Sequence, residues 1–181
     1  MTLKKKRRDS LKFLLFSILL AAVFSFLLIN FVLSAFKIEG DSMLPLLSDQ
    51  QRILVSKIAL RGSGPRRFDV VVLYRPDQPE KSVVKRVIGL PEEIIEIRDG
   101  RVFINYQPLN EPFLIARGEQ DNGGAIRNLE PLLIPEGHCF VLGDNRRISQ
   151  DSRTFGVVPF DYLQARVVFR YWPADRFGPV N

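Results

Sequence analysis

Histidine, cysteine and tryptophan occur once each in these 181 residues, as His138, Cys139 and Trp172. A lone cysteine makes no intrachain disulfide and no cage of several thiolates, and a lone histidine narrows metal chemistry further. No His-Glu-x-x-His and no paired-cysteine spacing occurs, so zinc hydrolysis is not expected. A Ser-His-Asp triad would have to use His138, which stands in His-Cys-Phe-Val-Leu, a run that reads as a strand with a structural histidine. Charge is missing as well, from one long stretch. From Phe13 to Phe36 there are 24 residues without an ionisable group. The chain as a whole is 46% hydrophobic and 25% charged, a globular composition that excludes wholesale disorder in a chain of about one domain's length.

The formal charge of +6 is unevenly spread. Residues 1–12 hold six Lys/Arg and one Asp, whereas 37–181 hold 20 Lys/Arg and 19 Asp/Glu. The basic excess is a tail on a nearly neutral domain, so no nucleic-acid partner is expected. As a helix, 13–36 would be about 36 Å long, enough for a hydrocarbon core of ~30 Å. The cluster Lys4, Lys5, Lys6, Arg7, Arg8 places the N-terminus on the cytoplasmic side and 37–181 outside. A cleaved secretory signal peptide is the rival reading, and Leu33-Ser34-Ala35 resembles a weak cleavage site. Its apolar region would usually be only ~7–15 residues, so a retained single-pass anchor fits the length better.

Beyond the span come short β-rich runs: Arg52–Lys57, Phe68–Tyr74, Ser82–Gly89, His138–Leu142 and Val167–Trp172. Ile94–Ile97 and Val102–Ile104 flank Arg98-Asp99-Gly100-Arg101, where Asp-Gly signals a hairpin. Residues 105–135 are polar, with Gly123-Gly124 and several prolines, and read as an inserted lobe or long loop. The expected organisation is a basic cytoplasmic tail (1–12), a transmembrane helix (13–36) and a mainly β, antiparallel extracytoplasmic domain (37–181).

With histidine and metal chemistry set aside, what remains for an enzyme is a serine or carboxylate nucleophile with an unusual base, and a neutral lysine can serve. Three segments stand out. The first is Gly40-Asp41-Ser42-Met43-Leu44-Pro45, just after the span. The second is Val83-Val84-Lys85-Arg86-Val87-Ile88-Gly89-Leu90-Pro91. The third is Gly143-Asp144-Asn145-Arg146, continuing through Ser149-Gln150-Asp151-Ser152-Arg153 to Phe155-Gly156-Val157-Val158-Pro159. Singly, each has a plain explanation as a turn, a strand with a snorkelling lysine, or a polar loop. In this order behind one span, and with Phe68-Asp69-Val70-Val71-Val72, they resemble bacterial type I signal peptidase over essentially the whole chain.

That resemblance implies a barrel-like antiparallel β catalytic domain in the bacterial cytoplasmic membrane, and a Ser-Lys serine protease without cofactor or metal. Ser42 would be the nucleophile and Lys85 its general base. Ser149 would orient the lysine, Asp144, Asp151 and Arg153 would brace the site, and Arg146 matches a motif arginine. Gly40, Ser42 and Met43 would form the oxyanion and substrate region. The partners would be the bilayer and precursor proteins bearing signal peptides, cut after small residues at the first and third positions before the scissile bond. Two departures stand out. Arg147-Ile148 replaces the Asp-Asn frequent in the family, and Gly40 replaces a serine that some members carry, leaving only a backbone N–H there.

Lys37 to Ser42 is five steps, at most about 17 Å, which would hold the nucleophile near the bilayer surface. Met43, Leu44, Leu46 and Leu47 would then be either core or a membrane-touching patch. Two other readings compete: a soluble self-cleaving Ser-Lys protease of the LexA type, which the charge-free span disfavours, and a membrane-anchored β module that binds peptides without cutting them.

Overall fold

Valine, isoleucine and leucine runs broken by Gly, Pro and Asp build a two-sheet antiparallel structure on an N-terminal helix. The structure, a computed structural model, describes residues 2–27, 32–60, 64–115 and 127–180. Helix α1 spans Thr2–Leu27. The strands are β1 (Leu33–Lys37), β2 (Arg52–Ser56), β3 (Val70–Arg75), β4 (Gln78–Gly89), β5 (Ile94–Arg98), β6 (Arg101–Ile104), β7 (Gln107–Pro108), β8 (Leu129–Leu133), β9 (His138–Leu142), β10 (Val158–Pro159), β11 (Leu163–Trp172) and β12 (Gly178–Pro179). Two one-turn α-helices, α2 (Pro112–Ile115) and α3 (Ser152–Phe155), and two 3-10 turns, Phe160–Tyr162 and Ala174–Arg176, complete the helical set among the described residues.

The larger sheet runs in the order β1-β2-β11-β3-β4-β9-β10, with β12 added to β11. The smaller is β7-β6-β5-β8. Every pairing is antiparallel. Among the described residues the ends of the larger sheet, β1 and β10, do not pair.

Strand β3 shows why the local sequence is a continuous apolar run. Val70 and Val72 enter a core with Met43, Leu47 and Ile53, while Val71 and Leu73 enter another with Val87 and Val141. A strand covered on both faces needs apolar residues at successive positions. A third core, with Ile88, Ile95, Phe140 and Leu142, lies against the smaller sheet.

One expectation is corrected. The helix expected over 13–36 does not run that far: Leu33–Lys37 are β1, in register from Leu33↔Ser56 to Lys37↔Arg52. Lack of charge does not separate an apolar helix from an apolar strand, and pairing with β2 decides for the strand here. Residues 28–31 lie outside the described residues, as do the side chains of the basic cluster. The described apolar part of α1, residues 13–27, comes to about 22 Å. Among the described residues no helix is long and apolar enough to cross a membrane. Of the two readings of 105–135, an inserted lobe or a long loop, the described part fits the first, since β7, α2 and β8 lie within it and β8 extends the smaller sheet beside β5. The Gly123-Gly124 part falls in 116–126, outside the described residues.

Candidate active site

Ser42 sits on a turn that the core holds from below. Met43 and Leu47, flanking most of that turn, are fully buried, and the Leu47 N–H donates to the Met43 carbonyl at 2.9 Å. Of the two alternatives for the apolar residues after Ser42, Met43 and Leu47 are therefore core, and Leu46 packs partly against it. Met43, though buried, also lines the groove that reaches Ser42. With its neighbours plugged into the core, Ser42 is left half-buried at the surface of the sheet.

The lysine comes from the middle of β4, opposite Val71 of β3. Its Nζ lies 2.7 Å from Ser42 Oγ, and the residue is 3% exposed. Alternation along β4 puts Val83, Lys85 and Val87 on one face, and both valines lie in the Val71–Leu73 core. Burial is the first cause that lowers the Lys85 pKa from 10.5 to about 8. Asp151 and Asp144 oppose that shift, while Arg75 and Arg153 add to it. Ser42 is the hydrogen-bond partner of Nζ among the described residues.

Three guanidinium–carboxylate pairs surround this dyad. Arg86, next to Lys85 but on the opposite face, donates from Nε and Nη2 to Asp144 at 2.8 and 2.7 Å, and both side chains are buried. Its guanidinium also donates to the Phe68 carbonyl and stacks over Phe113. Arg153 makes two bonds of 2.8 Å to Asp151. Asp151 also caps α3 through the Arg153 N–H and accepts from the Gly143 N–H at 3.0 Å. Arg146 donates to the Gly143 carbonyl at 3.0 Å and pairs with Glu111. The Gly143 peptide is thereby held through both its N–H and its carbonyl.

That position has no room for a side chain. A Cβ on Gly143 would lie 2.2 Å from Ser149 Oγ and 2.5 Å from the Ser42 carbonyl oxygen. The serine loop and the 143–153 loop therefore meet across a glycine, and the Asn145 N–H donates to the Ser42 carbonyl at 3.0 Å. Ser149 reaches this junction as the resemblance implied, yet its buried hydroxyl has no hydrogen-bond partner among the described residues. No bond from Ser149 to Lys85 is present.

Gly40 departs from expectation too. Its φ of +82° explains the glycine, but its N–H donates to Asp49 at 2.9 Å. Asp49 is held below the usual carboxylate range by the Gln50 side chain first and by this bond next. With the Gly40 N–H engaged, Ser42's own N–H is the backbone donor left beside the Ser42 hydroxyl among the described residues. His138 lies elsewhere, on β9 with its Nδ1 2.9 Å from the Glu136 carbonyl oxygen, and burial pushes the neighbouring Cys139 thiol up to about 12.

A groove of about 660 Å³ runs up to Ser42, with Phe36 and Ile38 along one side and Ser82, Val83 and Val84 along the other. Among the described residues strand β1 has a single neighbour, and β4 before Arg86 pairs with β3 alone. Both sides of the groove thus carry strand backbone with an unused edge.

Arg146 stood in the sequence without a defined contact; its partner Glu111 carried no signal, lying in the segment read as an inserted lobe or long loop. Arg86 was legible in principle. A lysine and an arginine adjacent in a buried strand imply a carboxylate for the arginine, and Asp144 was already in hand.

Comparison with known proteins matches residues 10–172 to the family model of signal peptidase, peptidase S26. The chain is 33% identical over 172 residues to signal peptidase IB of Staphylococcus aureus, covering 89% of each chain. It is 36% identical over 159 residues to signal peptidase I of Leptolyngbya laminosa, covering 84% of this chain and 75% of that one. A crystal structure of a signal peptidase I from Enterococcus faecalis, 36% identical, superposes with a TM-score of 0.51 over 57% of this chain and 97% of that one.

Proposed function

Since the chain belongs to the signal peptidase family, peptidase S26, we propose that it is a membrane-bound serine endopeptidase that removes signal peptides from secreted precursors through a Ser42–Lys85 dyad. The observation that carries this reading is the 2.7 Å contact between Ser42 Oγ and a buried Lys85 whose pKa is lowered to about 8.

In the reactive form the Lys85 amine is neutral. Ser42 Oγ attacks the scissile carbonyl carbon while its proton passes to Lys85 Nζ. Negative charge collects on the carbonyl oxygen, where the Ser42 N–H is the donor at hand. The intermediate collapses to an ester on Oγ, and the lysine ammonium returns its proton to the departing amine. Water, deprotonated by the same amine, then splits the ester, and Oγ recovers its proton. Asp144, Asp151, Arg153 and Arg146 keep the loop beside the dyad in place. Ser149, whose buried hydroxyl has no partner among the described residues, would be free to orient Nζ.

The groove suits an extended peptide, which could add backbone hydrogen bonds to β1 or β4. In such a strand the first and third residues before the scissile bond face the same side, which agrees with a requirement for small side chains at both. Membrane attachment is supported by α1, where Phe13, Phe16, Leu19, Phe24 and Phe26 are each more than 60% exposed and need an apolar medium to cover them. The basic N-terminal cluster favours a cytoplasmic N-terminus and an extracytoplasmic domain.

The test is cleavage of a signal-bearing precursor by the full chain in detergent. The parent should cut once, after a small residue, and Ser42→Ala and Lys85→Arg should not cut, because arginine stays charged under essentially all conditions. Near-parent cleavage by Lys85→Arg would mean that another group is the base. Peptide binding without any cleavage by the parent would favour the binding-module reading.

A further inference from the structure

Arg75, at the end of β3, has no part in the dyad as described, yet it lines the same groove as Ser42. It is a buried arginine, 9% exposed, and its guanidinium is fixed on three sides. Nε and Nη2 donate to the two oxygens of Asp77 at 3.0 and 2.6 Å, and Nη1 donates to Gln150 Oε1 at 2.9 Å. The plane lies 5.8 Å above the Phe155 ring. Gln150 is the link between Ser149 and Asp151, so Arg75 is tied directly to the loop that closes over the dyad. The Arg75 guanidinium lies over Phe155, which packs on the same core as Val71, Val83 and Val87, and Val71 pairs with Lys85, whose face Val83 and Val87 share. Arg75 and Lys85 therefore project from the same side of the sheet.

We propose that Arg75 is a positioning residue for this dyad: its fixed positive charge disfavours a second one on the Lys85 amine and so keeps the base neutral at lower pH. The proposal rests on the Ser-Lys reading above. The other charges around Lys85 do not substitute for it. Arg153 and Asp151 face it from the α3 side as a bonded pair, and Asp144 faces it from the end of β9 but is engaged by Arg86. On its own strand, Glu80 and Lys81 line the groove with opposite signs. Arg75 acts on the lysine in the direction of deprotonation, beside Arg153 and against the two aspartates. Its counterion Asp77 is substantially exposed, so water screens that carboxylate more than it screens the buried guanidinium.

The experiment measures kcat/KM for precursor cleavage against pH in the full chain, with Lys85→Ala as baseline. Arg75→Gln should raise the apparent pKa of the rising limb by about half a unit, a roughly threefold loss of rate below that pKa and none well above it. Arg75→Lys keeps the charge and should restore the parent profile, although it gives up the two-point contact with Asp77. Gln150→Glu leaves Arg75 in place but sets a carboxylate on it, and should move the limb the same way as Arg75→Gln; it serves if Arg75→Gln does not fold. Unmoved profiles in Arg75→Gln and Gln150→Glu, with Lys85→Ala inactive, overturn the role of Arg75 alone. A pH-independent loss in Arg75→Gln that Arg75→Lys shares also overturns it, as a purely structural effect. Cleavage by Lys85→Ala would instead bring down the dyad.

Discussion

Replacing Lys85 with methionine should make the protein more stable at neutral pH while abolishing its chemistry. Lys85 is buried with its pKa lowered from 10.5 to about 8, first by loss of solvation. The sign follows from proton counts in the two states. Below about pH 8 the lysine is charged both folded and unfolded, and the folded state bears the whole penalty of the buried ammonium. Between about 8 and 10.5 the unfolded state binds more protons, so stability rises with pH, and above 10.5 both forms are neutral and the penalty is gone. The gap corresponds to about 3 kcal/mol. Methionine has nearly the same length and no charge to desolvate, so Lys85→Met should gain up to that amount at pH 6.5. In a chain of this size that is roughly 6–12 °C in Tm. The assay is thermal unfolding of parent and variant in the same detergent at several pH values from 6.5 to 10.5. The parent–variant difference cancels titrations common to both, and it should shrink steadily as pH rises through the window. A difference that stays constant across it would refute the claim that the folded state depresses this lysine.

Asp144→Ala should cost about 3–5 kcal/mol in urea unfolding, because it strands the buried Arg86 guanidinium without its carboxylate; a loss below about 1 kcal/mol would show the pair to be dispensable. Gly143→Ala should lower precursor cleavage at least tenfold in a protein that still melts cooperatively, since its Cβ would press on Ser149 and on the Ser42 carbonyl, and a parent-like rate would mean that the two loops separate freely. His138→Ala should keep turnover within a few-fold, because the imidazole is bonded to the Glu136 carbonyl. A loss as deep as that of Ser42→Ala would return histidine to consideration as the base.

Ser42 and Lys85 were singled out by the resemblance of their segments to signal peptidase, since alone a turn after an apolar run and a lysine inside an apolar strand each have a plain structural explanation. The β runs with dense branched residues, such as Val70–Arg75 and His138–Leu142, emerged close to where they were expected. Strands such as β1, β7, β8, β10 and β12 did not, since several are two residues long and each exists through its partner rather than its own propensity. The same holds for the site. Glu111 and Arg75 are ordinary charged residues in sequence, and they acquire meaning only when folding places them against Arg146 and Gln150. The Gly40 N–H shows the converse: its position beside the nucleophile was visible, but the carboxylate of Asp49, nine residues on, claims it.

The placement of charge around Lys85 explains why burial governs its state. Asp151 and Asp144 would each favour the ammonium, and an unpaired carboxylate in that position would raise the lysine toward its ordinary range. Each is instead held by two bonds from an arginine, Arg153 and Arg86. A bonded pair presents the lysine with something nearer a dipole than a charge, and its field falls off faster with distance than that of a lone ion. The carboxylates can then anchor the Gly143 loop, through the Gly143 N–H and the cap of α3, without supplying the lysine a counterion. Structural bracing and a neutral base make opposite demands on nearby acids. Pairing each acid with its own guanidinium allows both demands to be met in one buried site.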